Sequence, residues 1–252
     1  MHQSLYVLRS AIVFGILYTY TAVLVLITLV LSFLDLKKSI QVISVIWARS
    51  VFMIIGKKYR LTGKEYLSKE SRYLLLANHG SLFDIVAIMS IYRGISWFGH
   101  ERLLKIPLFG KLLKMNGYIP FREPNYRNTK AMMEQLVLKS KDQTVAIFPE
   151  GTRTLNGKIN EFYRGFIYML RNSEINILPV TLNGFYELKP KNRSYINFDA
   201  ELEIIIHEPI KREELICKSD FEIIDRIKAV IESAYKENPM SDYLLTQELS
   251  YK

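Results

Sequence analysis

Cysteine is almost missing from this chain: Cys217 is the one copy in 252 residues. That excludes an intrachain disulfide and any cysteine-rich zinc site, and it fits a reduced, cytosolic setting for the soluble part. Histidine is scarce too, with four copies and no pair at metal-ligand spacing, so no metal is expected. No Gly-x-Gly-x-x-Gly or Walker loop occurs, which argues against nucleotide-driven chemistry. Repeats at solenoid spacing and low-complexity tracts are lacking as well. Acidic side chains are the minority, 25 against 34 lysines and arginines, giving a net charge of +9. Such a balance favours an anionic partner, whether nucleic acid, anionic lipid, phosphorylated substrate or acidic carrier protein. Ordinary solubilising charge produces the same balance. No recognition motif for nucleic acid accompanies it, so no nucleic acid partner is expected.

Hydrophobic residues, by contrast, make up 49% of the chain, which predicts a sizeable core. Ala11 to Leu34 is a run of 24 residues without a charged side chain. As a helix it would be about 36 Å long, enough to cross the hydrocarbon core of a bilayer. No small-residue cleavage site follows it, so it does not read as a signal peptide. Positive residues after the run (Lys37, Lys38, Arg49, Lys57, Lys58, Arg60) outnumber Arg9 before it, which puts the carboxyl-terminal bulk in the cytoplasm. A second apolar segment, Ile40 to Ile55, carries Arg49 and fits an interfacial helix or the return arm of a one-leaflet hairpin. Residues 1–58 are therefore expected to anchor the chain in the cell membrane, with residues 59–240 forming a cytoplasmic domain and 241–252 a polar tail.

Within 59–240, short apolar runs alternate with helical periodicity. Strands are expected at Tyr73–Ala77, Ile95–Phe98, Gly117–Pro120, Thr144–Phe148, Ile177–Leu182 and Leu202–His207. Helices are expected at Leu82–Tyr92, Glu101–Met115, Tyr126–Lys139, Glu161–Arg171 and Phe221–Lys236. This alternation predicts an α/β layered domain with a mainly parallel sheet flanked by helices. In such sheets ligands gather beyond the carboxyl ends of strands. His79, Arg122 and Glu150 each follow one predicted strand, so three segments converge on one rim.

The chemistry begins at Asn78-His79-Gly80-Ser81-Leu82-Phe83-Asp84. A histidine suits proton transfer near pH 7, and a carboxylate on its far nitrogen fixes the tautomer and stabilises the imidazolium. His79 and Asp84 fit these roles. A plainer reading competes with this one: Ser81 and Asp84 also match a helix capping box. No serine or cysteine beside His79 forms a nucleophile motif, which implies that the nucleophile arrives on the substrate as a hydroxyl. The second motif, Phe148-Pro149-Glu150-Gly151-Thr152-Arg153, ends a strand at a proline that lacks an amide hydrogen. Its glycine permits close backbone approach, Glu150 can accept from a hydroxyl, and Arg153 can grip phosphate through paired donors. Arg122, closing Gly117-Tyr118-Ile119-Pro120-Phe121-Arg122, offers a second guanidinium. Ile177-Leu178-Pro179-Val180-Thr181 reads as packing.

These four blocks, in this order, resemble the glycerolipid acyltransferase family whose best-known members are the 1-acyl-glycerol-3-phosphate acyltransferases. Asn78, His79 and Asp84 match its first block. Gly117, Ile119 and Arg122 match the second, Phe148 to Arg153 match the third in full, and Pro179 matches the fourth. The likeness covers roughly residues 70 to 185, and an amino-terminal membrane segment is usual in the family. The resemblance implies transfer of a fatty acyl group from a thioester to the sn-2 hydroxyl of 1-acyl-glycerol-3-phosphate, giving phosphatidic acid for phospholipid synthesis. His79 would be the general base and Asp84 its orienter. Arg122, Glu150, Gly151, Thr152 and Arg153 would hold the glycerol phosphate. No cofactor is implied beyond the donor substrate, acyl-CoA or acyl-carrier protein. The tetrahedral oxyanion needs donors, for which the amides near Gly80 or Gly151 are the candidates.

The chain departs from the family pattern between the first two blocks. There His100 stands at the place of the usual lysine and Arg102 at that of the usual acid, ahead of Ile106-Pro107-Leu108-Phe109-Gly110. Arg102 and Lys105 are the substitutes at hand. Thr154 stands where serine is common. Other readings are transfer to a different lysolipid, thioester hydrolysis, or a non-catalytic membrane binder. The last would use the basic face of Arg122, Arg127, Lys130, Lys139 and Lys141, which equally suits carrier protein or anionic lipid.

Overall fold

In the computed structural model, which describes residues 2–67, 72–105, 118–121 and 126–236, the chain opens with two long helices. These are α1 (His2–Phe33) and α2 (Lys37–Ile54). Then follow β1 (Tyr59–Thr62), β2 (Tyr73–Ala77), α3 (Phe83–Ile91), β3 (Ile95–Ser96), β4 (Phe98–His100) and β5 (Ile119–Phe121). The second half holds α4 (Tyr126–Ser140), β6 (Thr144–Ile147), α5 (Gly165–Asn172), β7 (Asn176–Asn183), α6 (Phe185–Leu188), β8 (Leu202–Ile206) and α7 (Asp220–Glu232).

Six strands form one sheet in the order β1-β8-β7-β2-β6-β3. Every neighbouring pair is parallel except β7 with β8. The mainly parallel sheet flanked by helices is thus present. A strand covered on both faces needs apolar residues without alternation, and all five residues of β2 are buried. Its side chains still point alternately to opposite faces. Tyr73, Leu75 and Ala77 join a cluster with Phe52, Phe83, Ala87 and Phe185. Leu74 and Leu76 face Leu136, Phe166 and Leu170 on the other side. That second cluster takes in Ile223, Ile227 and Ile231, a single stripe along α7. Ser219 and Glu222 close a capping box at the start of α7.

Phe52 and Ile55 of the α2 end belong to the first core cluster, so α2 is part of the layer that covers the sheet. Arg49 Nε donates to the carbonyl of Ser90 at 3.0 Å, which binds α2 to α3. Trp47 Nε1 donates to Thr21 Oγ1 at 3.0 Å, which binds α2 to α1. The amino end of α1 also rests on the domain: Tyr6 donates to Asp199, Arg9 lies 3.8 Å over the Phe198 ring, and Ser10 Oγ accepts from the amide of Ile196 at 2.9 Å. Gln3–Phe33 is long and apolar enough to cross a membrane by length and composition. Its flank bearing Leu8, Ile12, Ile16, Val23, Leu26 and Val30 is exposed.

Several expected boundaries shift. The run Ile95–Phe98 splits at Trp97, because β3 lies at the edge of the large sheet whereas β4 pairs with β5 in a separate two-stranded sheet. The helix expected from Glu161 begins at Gly165, since the amide of Tyr163 is taken by the carbonyl of Pro149. Of Glu101–Met115, a 3-10 turn covers Glu101–Lys105 and the rest lies outside the described residues. The tail 241–252 also lies outside them. β1 was not foreseen. It is a four-residue edge strand with alternating exposure, held by Arg60 Nε on Glu203 Oε1 at 2.7 Å directly across the ladder.

Candidate active site

β2 and β6 are parallel neighbours, with Leu76 opposite Ile147, so the loops leaving their carboxyl ends lie side by side. His79 sits in the loop between β2 and α3, and Asp84 is the second residue of α3. His79 Nδ1 is 2.8 Å from Asp84 Oδ2. The same oxygen accepts from the amides of Gly80 and Ser81, each at 2.7 Å. A carboxylate that accepts from two amides acts as the acceptor toward the ring as well, which puts the proton on Nδ1 and leaves Nε2 as the proton-accepting nitrogen. Asp84 is fully buried, and its Oδ1 has no partner among the described residues. The capping and orienting roles therefore coincide. The carboxylate folds back on the Ser81 amide as in a capping box, while the Ser81 hydroxyl accepts from Phe83 at 3.3 Å.

The loop after β6 holds His79 by its backbone. Glu150 Oε1 accepts from the amide of His79 at 2.6 Å, and Oε2 accepts from the amide of Asn160 at 2.8 Å. The carbonyl of His79 accepts from the amide of Thr154 at 2.9 Å. Burial pushes the Glu150 carboxyl up to about 7, against the two amides that favour its charged form; the nearby Asp84 charge adds to the rise. Gly151 has a φ of +67°, and a Cβ there would come 3.0 Å from the Tyr163 ring, so the turn requires glycine. The guanidinium of Arg153 is half-buried and has no hydrogen-bond or ion-pair partner among the described residues. Burial holds it below the usual arginine range, while the Asp84 charge opposes that shift.

Phe148 stacks on the His79 ring with centroids 3.9 Å apart and planes 11° apart, which fixes the imidazole plane. Asn78 bridges β2 to β7: its amide nitrogen donates to the carbonyl of Leu182 at 3.0 Å and its oxygen accepts from that residue's amide at 2.8 Å. The hydroxyl of Ser81 donates to the carbonyl of Lys189 at 2.7 Å, and the residue is fully buried. It is therefore no nucleophile. Cys217 is exposed, in the segment between β8 and α7.

Of the residues expected at the site, His79, Asp84, Glu150, Gly151, Thr152 and Arg153 meet at the ends of β2 and β6. Arg122 lies outside the described residues. Glu150 has a different position from the one expected of a substrate ligand, since both its oxygens accept from backbone amides. The amides of Gly80 and Gly151 themselves, in the two regions that were candidates for an oxyanion, are occupied as well. Gly80 donates to Asp84 Oδ2, and Gly151 donates to the carbonyl of Phe148 at 3.0 Å. Pro179 lies within β7, whose residues 177–183 are all buried, in keeping with a packing role. Sequence reasoning missed the stacking of Phe148, the anchoring by Asn160 and the approach of Lys189. Each depends on a contact between segments that carry no local signal of it.

Residues 58–183 match the family model described as Acyltransferase. The chain is 26% identical over 185 residues to a chloroplastic 1-acyl-sn-glycerol-3-phosphate acyltransferase of Arabidopsis thaliana, covering 72% of this chain and 52% of that protein. It is 29% identical over 156 residues to a 1-acyl-sn-glycerol-3-phosphate acyltransferase of Borreliella burgdorferi, covering 61% of each. The chain spans about half the length of the plant relatives it matches. In fold it is similar to the crystal structure of the 1-acyl-sn-glycerophosphate acyltransferase PlsC of Thermotoga maritima. The TM-score is 0.79 at 24% identity, over 92% of this chain and 95% of that one.

Proposed function

Because the chain belongs to the acyltransferase family, we propose that it moves a fatty acyl group from a thioester to the sn-2 hydroxyl of 1-acyl-glycerol-3-phosphate, giving phosphatidic acid. The observation that carries this reading is a histidine–carboxylate pair which, among the described residues, has its proton-accepting nitrogen free, no nucleophilic side chain beside it, and a half-buried guanidinium without a partner on the adjoining loop. Nε2 of His79 takes the proton of the acceptor hydroxyl as its oxygen attacks the thioester carbonyl. The imidazolium is stabilised by Asp84 through Nδ1. As the tetrahedral intermediate collapses, the C–S bond breaks and the proton on Nε2 passes to the leaving thiolate. No acyl-enzyme forms and no cofactor beyond the donor is required. Arg153 binds the acceptor's phosphate, with Arg122 as its partner from the second block.

The names of the relatives support this acceptor, and the exposed apolar flank of α1 supports a membrane setting. We read that helix as lying in one leaflet, with the domain on the cytoplasmic face. In support, α2 is packed along α3 and the amino end of α1 touches residues 196–199 of the same domain, so neither helix leads away from it. The donor is acyl-CoA or acyl-carrier protein, either of which is anionic and suits the basic surface that includes Lys130 and Lys141. The deciding assay incubates the purified protein with both donor types and a panel of lysolipids. Phosphatidic acid should form from one or both donors. Release of free fatty acid at the same rate without acceptor would instead identify a thioester hydrolase.

A further inference from the structure

The segment after β7 is fastened across the site, although none of the four motifs reaches it. The Ser81 hydroxyl holds the carbonyl of Lys189 at 2.7 Å, and the Tyr186 hydroxyl donates to the carbonyl of Leu155 at 2.8 Å. Gly80 lies so near that a Cβ there would come 3.1 Å from the Cβ of Tyr186. Residues 186–189 are thus tied to the first block at one end and to the residues just after Arg153 at the other. Arg193, next along, has its guanidinium committed to carbonyls: Nη2 to Glu187 and Leu188, and Nε to Tyr195. Lys189 is different. Among the described residues its ammonium donates once, to the carbonyl of Arg193 at 2.8 Å, and an ammonium has three protons to give.

Neither Lys189 nor Arg153 has a carboxylate at ion-pair distance among the described residues. Burial, then the charges of Arg153 and Arg193, hold the Lys189 ammonium below the ordinary lysine range. Like charges kept together with no carboxylate in contact among the described residues, and with the Asp84 charge acting on Arg153 only from a distance, raise the energy of the empty site, and an incoming anion lowers that cost. The number of free cations also matters. A phosphomonoester carries about 1.5 to 2 negative charges near pH 7, whereas a phosphodiester carries one.

We propose that Lys189 is a specificity-determining residue that joins Arg153, alongside the Arg122 of the reading above, in a cation clamp for the acceptor's phosphomonoester. It brings a positive charge from the segment between α6 and β8, in a chain that has His100 where the resemblance described above expects a lysine. The inference rests on the acyl-transfer reading above. It adds that the clamp selects a terminal phosphate over a phosphodiester headgroup.

The test is steady-state kinetics on the full chain in detergent, comparing wild type, Lys189→Ala, Lys189→Arg and the remote control Lys211→Ala. The acceptors are 1-acyl-glycerol-3-phosphate and a lysolipid with a phosphodiester headgroup. Lys189→Ala should raise the KM for the phosphomonoester by about 10- to 100-fold. Its kcat and the donor's KM should change little, and the phosphodiester lysolipid should be handled as before. Lys189→Arg should restore most of the loss, and Lys211→Ala should change nothing. An unchanged acceptor KM in an active Lys189→Ala protein overturns the clamp. So does an equal loss on both acceptors that arginine fails to rescue, because a merely structural lysine would behave that way. If Lys189→Ala does not fold, Lys189→Met replaces it and keeps the aliphatic stem. A wild-type protein inactive on every lysolipid would sink the acyl-transfer reading, and calorimetric titration with glycerol 3-phosphate then decides the clamp alone. Weaker binding in the variant supports it, and equal binding or none in either protein overturns it.

Discussion

Glu150 holds His79 by the peptide and leaves the ring free: its Oε1 is 2.6 Å from the histidine's amide nitrogen, while the ring nitrogen Nδ1 belongs to Asp84. The glutamate of the third block is thereby a positioning residue for the first. Glu150→Gln keeps one accepting oxygen for two amides and turns an NH2 group toward the other. The expected result is a fall in kcat of about 10- to 100-fold, the scale of one charge-assisted hydrogen bond, with the acceptor's KM nearly unchanged. A glutamate that touched substrate would instead raise KM.

The same carboxyl sets a pH dependence of stability. Its pKa is about 7 in the folded protein against 4.5 for an ordinary glutamate. Below the lower value both states carry the proton; between the two values only the folded state does. Stability is therefore greatest below the lower value and declines as pH rises through the window, by an amount on the order of 3 kcal/mol in total. Denaturant unfolding at a series of pH values should reveal this decline in wild type and its absence in Glu150→Gln.

His79→Ala should remove transfer by about 10²- to 10⁴-fold, the usual contribution of a general base, without loss of the folded state. Asp84→Asn should be as damaging to turnover and should also destabilise the protein. The buried oxygen it alters serves His79 and the amides of Gly80 and Ser81 at once. Turnover paired with thermal unfolding separates the two variants.

Asn78→Ala leaves the amide and carbonyl of Leu182 without their side-chain partners in a buried strand. A cost of about 3 kcal/mol is expected, at 1–3 kcal/mol for each unsatisfied group. Chemical denaturation reads it directly. A cost below about 1 kcal/mol would mean that the bridge is dispensable.

The position of α1 in the membrane can be tested with single cysteines placed in a Cys217→Ser background. In vesicles of one orientation, an impermeant maleimide should never label Gln3→Cys or Lys38→Cys from the side opposite to Lys191→Cys. Labelling of either from the far side would mean that α1 crosses the bilayer.

What could be read from the residues follows how local each signal is. β2 and β6 announce themselves as apolar runs ended by Asn78 and Pro149, and the His79–Asp84 pair lies five residues apart at one strand-to-helix junction. The stripe Ile223, Ile227, Ile231 and the cap at Ser219 likewise act over a few positions. Relationships between segments were not legible. Nothing near Phe148 says that its ring will lie on His79, and nothing near Lys189 says that its carbonyl will meet Ser81. Trp97 looked like the interior of one strand and proved to be the point where two sheets part, because strand propensity carries no information about which partner is available.

The chain has two tryptophans, and the fold assigns one to each of its working parts. Trp47 donates across the α1–α2 contact, whereas Trp97 stacks 6.0 Å from Phe148, which in turn lies on the His79 ring. Replacing either by phenylalanine therefore leaves a native optical probe in the other. One reports the packing of the two amino-terminal helices and the other reports changes beside His79, so a pair of single-tryptophan variants times the two events independently.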